Sequence, residues 1–291
     1  MQHSRQDGTV GVGGGRSLSF RGYGPADGQP VLFFPGTPGS AVEWSMWPSG
    51  SAERSGIRVI AVDRPGLGWS DWQPRRRVLD WPVDVTALAD ALGLQRFAVL
   101  GYSGGVPYAL ACGQLLPDRV SAVTLVGCVG PDEEPGLVAG LSPQAARMRQ
   151  DCRRHPRRAW LTWSGVRFAV ARYPEQVLTR SMSALPDPDR AALAEPGLGQ
   201  AYLEDLRRAL RQGPRGAVTD MALMASPWGL RPELIRAPVR VWQGEQDRNA
   251  PPLMARRLAA VIPDCTATFC PDDGHLSIIG GYAEAMLSTL G

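Results

Sequence analysis

Two hydrophobic rhythms alternate along the chain. Short apolar runs of strand length occur at residues 18–23, 31–34, 57–62, 97–100 and 120–126. Several of them are rich in β-branched residues, and the run at 31–34 is bounded by proline and glycine, as buried strands are. Between them lie stretches of helical period. Residues 78–92 place Val78, Val85, Leu88 and Leu92 on or near one face, and residues 106–116 form a second such stretch. Strands alternating with helices predict βαβ units and a parallel sheet covered on both faces. The glycine-rich run at 11–15 is expected to be a flexible lead-in or a hairpin turn.

The pattern changes at Gly130-Pro131. From 131 to 232 the β-branched runs disappear, Arg, Ala, Leu and Trp dominate, and Pro and Gly break helical pieces. After Ala237-Pro238 a strand pattern returns at 239–243. A helix at 252–261, a strand at 266–270 and a final helix from about 276 to 290 follow. The chain thus reads as a sheet domain over residues 1–130 and 233–291, interrupted by a helical insertion over 131–232. No internal repeat is visible.

Composition fits this reading. The 291 residues, 44% hydrophobic and 20% charged, suffice for one large domain or for one domain carrying an inserted subdomain. The formal charge of +3 is too mild to argue for a nucleic-acid partner, and every basic residue counted with it is arginine. The five cysteines, an odd number without CxxC or Cys/His spacing, predict free thiols in a reducing compartment and no zinc site. No apolar stretch of about 18 residues is present, and residues 1–16 have no signal-peptide core, so a cytoplasmic protein without a membrane span is expected.

Chemistry enters at Gly101-Tyr102-Ser103-Gly104-Gly105. This G-x-S-x-G segment directly follows an apolar strand and directly precedes a helix. Such a sharp strand-to-helix turn exposes a strained serine above the sheet, next to the positive end of a helix. The competing reading is a glycine-rich turn that binds a phosphate or nothing.

With three further segments, the sequence resembles the α/β-hydrolase family. Phe34-Pro35-Gly36-Thr37-Pro38-Gly39-Ser40 is similar to the family's oxyanion loop, with Pro35 where the family usually has histidine. Asp63-Arg64-Pro65-Gly66-Leu67-Gly68-Trp69-Ser70 resembles its turn after the next strand and reads as structural. Asp273-Gly274-His275-Leu276 resembles its C-terminal Gly-His segment. The resemblance covers nearly the whole chain except the insertion, which itself resembles the family's cap.

A serine hydroxyl needs a base within hydrogen-bond reach. Of the three histidines, His3 lies in the loose N-terminus and His155 in an arginine-rich stretch, which leaves His275, between a strand and the last helix. The base needs a carboxylate to fix its tautomer. Asp247 sits after the strand at 239–243 and gives the chain order Ser103, Asp247, His275. Glu245 and Asp132 are alternatives, while Asp272 and Asp273 read as turn residues beside His275. The resemblance implies backbone oxyanion donors at Thr37 and Gly104. It implies an ester hydrolase acting on a small, apolar substrate, with no cofactor or metal. A thioesterase or cyclase acting on an acyl-thioester, and a ligand-binding member without turnover, are the alternatives. The insertion carries Trp160, Trp163, Phe168, Tyr173, Met182, Tyr202, Met221, Met224 and Trp228, some of which should line an apolar pocket. Its arginine run at 147–172 is a solvated face or a site for an acidic group.

Overall fold

The computed structural model describes residues 7–130 and 136–290. His3, Asp132 and the expected junction at 130/131 therefore lie partly or wholly outside the described residues.

Among the described residues eight strands form one sheet. They are β1 (Gly8–Val12), β2 (Arg16–Tyr23), β3 (Gln29–Phe34), β4 (Ile57–Val62), β5 (Phe97–Tyr102), β6 (Val120–Val126), β7 (Val239–Gly244) and β8 (Cys265–Cys270). Their spatial order is β1-β2-β4-β3-β5-β6-β7-β8. Strands β3 to β8 run parallel to one another, while β2 is antiparallel to both β1 and β4. The glycine run is a hairpin turn, Gly13–Gly15, joining β1 to β2. The sequence reading missed β1, which alternates small and polar residues with valine and carries little apolar signal.

The sheet is buried on both faces, and the period of two sorts its side chains. Leu32, Phe34, Ile60, Val62, Phe97 and Val99 point into one apolar core, and Val31, Phe33, Val59, Ala61, Ala98 and Leu100 into the other. The first core is covered by α2 (Trp81–Ala91), α3 (Val106–Leu115) and α10 (Pro252–Val261), through Val85, Leu88, Leu110 and Leu258. The second is covered by α1 (Ser51–Arg54) and α11 (Ser277–Ser288), through Ala52, Ile278, Ala283 and Leu287. Helix α2 is shorter than the expected 78–92, because Val78–Asp80 forms a tighter 3-10 turn before Pro82 takes a position in the first helical turn.

Among the described residues, six α-helices come between β6 and β7: α4 (Pro143–Arg154), α5 (Pro156–Arg172), α6 (Pro174–Ser183), α7 (Asp187–Ala194), α8 (Pro196–Ala209) and α9 (Arg215–Met224). Each of α4 to α8 has a proline in its first turn, which breaks the stretch into short pieces. Among the described residues no helix is long and apolar enough to cross a membrane.

Backbones approach closely where β3, β5 and α3 meet. A Cβ at Gly105 would collide with the carbonyl oxygen of Phe34, and one at Gly101 would lie 2.8 Å from the Ala109 Cβ. Gly105→Ala should therefore destabilise the fold by about 1–3 kcal/mol, the usual cost of overpacking. A lower urea midpoint at unchanged slope is the expected result of equilibrium unfolding.

Candidate active site

The chemically suggestive side chains all follow the carboxyl ends of parallel strands, where open α/β sheets place their ligand sites. Ser103 follows β5, Thr37 follows β3, Asp247 follows β7 and His275 follows β8. Ser103 has φ of 51°, a left-handed conformation rare for a non-glycine residue and suited to holding its hydroxyl at the tip of the turn.

The structure brings three of these side chains into one hydrogen-bonded chain. Ser103 Oγ lies 2.9 Å from His275 Nε2, and His275 Nδ1 lies 2.6 Å from Asp247 Oδ2. A proton on Nδ1 facing the carboxylate leaves Nε2 free to accept the serine proton. Asp247 is itself held. Its Oδ1 accepts from the backbone N–H of Asn249 and of Ala250, both at 2.8 Å, and its Oδ2 from Gln243 Nε2 at 3.1 Å. Gly127, at φ of 57°, leaves space for the imidazole, since a Cβ there would sit 3.0 Å from His275 Cε1. The Tyr102 hydroxyl donates to the His275 carbonyl oxygen at 3.0 Å.

Burial of His275 disfavours its charged form. The charge of Asp247 and its hydrogen bond, together with the charge of Asp189, outweigh that effect and raise the imidazole above its ordinary value of 6.5. Glu245, weighed beside Asp247, points elsewhere and pairs with Arg256.

The loop after β3 faces the serine turn. A Cβ on Gly104 would fall 3.0 Å from the Thr37 backbone nitrogen and would overlap the Thr37 hydroxyl. Thr37 and Gly104 are therefore adjacent across the site. Among the described residues no histidine is hydrogen-bonded to this loop. Arg64, fully buried, donates instead to the carbonyl oxygens of Pro35 and of Gly36 (2.6 Å) and to Thr37 Oγ1 (2.9 Å). On the loop's other side, the Gly36 N–H donates to Glu43 Oε2 at 2.5 Å.

Sequence reading missed how the insertion reaches these loops. Asp220 on α9 accepts from Thr37 Oγ1 (2.5 Å), Arg64 (2.6 Å), Arg76 (2.6 Å) and the Tyr108 hydroxyl (2.6 Å). Burial alone would raise its carboxyl, but Arg64 and Arg76 hold it well below the usual carboxylate range. Asp205 on α8 accepts from the Ser40 N–H (2.8 Å) and hydroxyl (2.7 Å). Burial pushes Asp205 from 3.8 up to about 7, and burial together with Asp205 pushes Glu43 well above its usual range. Asp189 on α7 accepts backbone N–H groups of the His275 loop. No local pattern marks these aspartates, because their partners lie far away in sequence.

The insertion's large side chains divide sharply. Trp160, Phe168 and Tyr173 are exposed, while Trp163, Met221, Met224 and Trp228 belong to the main core. Met182 and Tyr202 pack with Met46, Leu193 and Leu276, beside His275. The arginine run is mostly solvated, although Arg149 is buried and donates to the Asn249 carbonyl oxygen. A groove of 870 Å³ runs past Trp44, Met46, Leu198 and Leu276, but Ser103 and His275 do not line it. Among the described residues no cluster of three or more His, Cys, Asp or Glu is placed to hold a metal ion.

Two stability effects follow. Asp220→Ala leaves buried arginines without their carboxylate and should cost about 3–5 kcal/mol in chemical denaturation. Asp205 has a folded value above its unfolded one, so its contribution is present below 3.8 and lost as pH rises toward about 7. The melting temperature should fall across that window, and Asp205→Asn should flatten part of the slope.

Known proteins share this architecture. A non-heme chloroperoxidase of Streptomyces lividans is 37% identical over 126 residues, 43% of this chain and 45% of that protein, so the match spans less than half of it. A protein of Caulobacter named for carbamate hydrolysis is 28% identical over 273 residues, 87% of this chain and 86% of its own length. The crystal structure of an esterase from Rhodococcus superposes with a TM-score of 0.68 at 23% identity, covering 99% of this chain and 100% of that one. A sequence model of the alpha/beta hydrolase fold matches residues 29–282, and the chain belongs to that family.

Proposed function

We propose that the protein is a serine hydrolase that cleaves an ester-like bond of a small apolar substrate through an acyl-enzyme. The observation that carries this reading is the continuous chain from Ser103 Oγ through His275 to Asp247, at 2.9 and 2.6 Å. Hydrolysis as the general class is supported by the family and by the activities for which its relatives are named.

In this reading Ser103 Oγ attacks the carbonyl carbon while His275 Nε2 takes its proton. Asp247 fixes the tautomer and stabilises the imidazolium. The carbonyl oxygen becomes an oxyanion, held by the backbone N–H groups of Thr37 and Gly104. His275 then returns the proton to the leaving alcohol. Water, deprotonated by the same Nε2, attacks the acyl-serine and releases the acid. Arg64 keeps the Thr37 loop in place without touching the substrate. The insertion acts as a cap that excludes water, with Met182 and Tyr202 contributing to the apolar wall near His275.

The test is intact-mass spectrometry after exposure to a fluorophosphonate. Wild type should gain one adduct and Ser103→Ala none; a folded wild type that gains no adduct would sink the proposal. Asp247→Asn should slow turnover of a reactive ester by about 10⁴-fold with the fold retained. The rate of serine modification should rise with pH through an ionisation above 6.5, because only neutral His275 accepts the proton and its affinity for protons is raised. A pH-independent rate would contradict that role.

A further inference from the structure

Helix α11 starts two residues after His275, and its first N–H groups need acceptors. The residue at its N-cap, Leu276, has a side chain that cannot supply one. The acceptor comes from another element. Asp189, fully buried on α7, places Oδ2 2.9 Å from the His275 nitrogen and Oδ1 2.7 Å from the Leu276 nitrogen and 3.0 Å from that of Ser277. The approach is built in, because a Cβ at Gly274 would collide with this carboxylate. One carboxylate of the insertion thus caps the helix and grips the backbone of the histidine itself.

Resting on the reading of His275 as the base, we infer that Asp189 is a positioning residue for it. Asp189 sets where the imidazole stands, and its negative charge makes the imidazole a stronger base. Several groups face His275. Asp247 lies after β7, Asp189 on α7 and Arg149 on α4, with the two carboxylates raising its proton affinity and the guanidinium lowering it. Ser103 and Tyr102 approach from β5 and its turn. Asp273 shares the histidine's loop. Asp189 is the member of this set that acts through both geometry and charge without touching the ring. It also makes seating of the insertion and readiness of the base a single event.

The experiment is the pH dependence of fluorophosphonate modification of Ser103, which needs no knowledge of the natural substrate. Asp189→Asn removes the charge and offers fewer acceptors to the same N–H groups. Its acid limb should move down by about half a pH unit, and its plateau rate should fall about tenfold as the imidazole loses its place. Asp189→Glu keeps the charge but shifts the carboxylate. It should retain the wild-type acid limb while losing plateau rate. Asp187→Asn, at an exposed position on the same helix, should change neither. An unmoved acid limb in folded Asp189→Asn, or a rate loss that only follows its folded fraction, would overturn the inference. Should that variant not fold, Asp189→Glu decides alone, and wild-type plateau rate in it overturns the inference equally. An unreactive wild type would instead defeat the proposed function and leave a different signature.

Discussion

The site depends on how closely the ends of two strands approach. β3 and the turn after β5 meet so tightly that position 105 has no room for a methyl group beside the Phe34 carbonyl. That contact fixes the turn, and the turn forces Ser103 into the left-handed region that lifts its hydroxyl off the sheet. It also places Gly104 against Thr37, so that the serine turn and the loop after β3 lie side by side. The parallel register of β5, β6, β7 and β8 then brings Asp247 and His275 to the same edge.

Around that edge the molecule buries more charge than a core of this kind needs. Buried ion pairs seldom add net stability, because desolvation consumes most of the attraction. Their effect here is geometric. Asp220 ties Thr37, Arg64, Arg76 and Tyr108 together, and Asp205 holds Ser40. Arg64 takes the structural place that the resemblance gave to a histidine at position 35. A planar guanidinium with several donors can hold two carbonyls and a hydroxyl at once, which an imidazole cannot.

Much of this was legible in the sequence, and the limit has a physical cause. Strands such as 57–62 and 120–126 announce themselves by β-branched runs. Gly101 to Gly105 announces a sharp turn, because glycine is needed where strand and helix crowd. His275 and Asp247 were singled out by the resemblance of their segments to the family's, each a few residues after a strand. Strand β1 was not legible, since pairing with β2 rather than its own hydrophobicity makes it a strand. Asp189, Asp205 and Asp220 were not legible either. Each sits in a helix among ordinary neighbours, and its meaning comes from a loop far away in sequence. The aromatic residues of the insertion misdirect for a related reason: composition cannot tell Trp163 in the core from Trp160 on the surface.

The three buried aspartates of the insertion bear on how this scaffold could be recombined. A segment that hangs over a site by apolar contact alone can be exchanged between relatives as a module, taking its selectivity with it. Here α7, α8 and α9 each carry a carboxyl group that fits one particular loop beneath. A chimera with a foreign insertion would leave Arg64 and Arg76 without a counter-charge and α11 without its cap. The exchangeable unit is therefore the insertion together with positions 37, 40, 64, 76 and 274, scattered across the sheet domain.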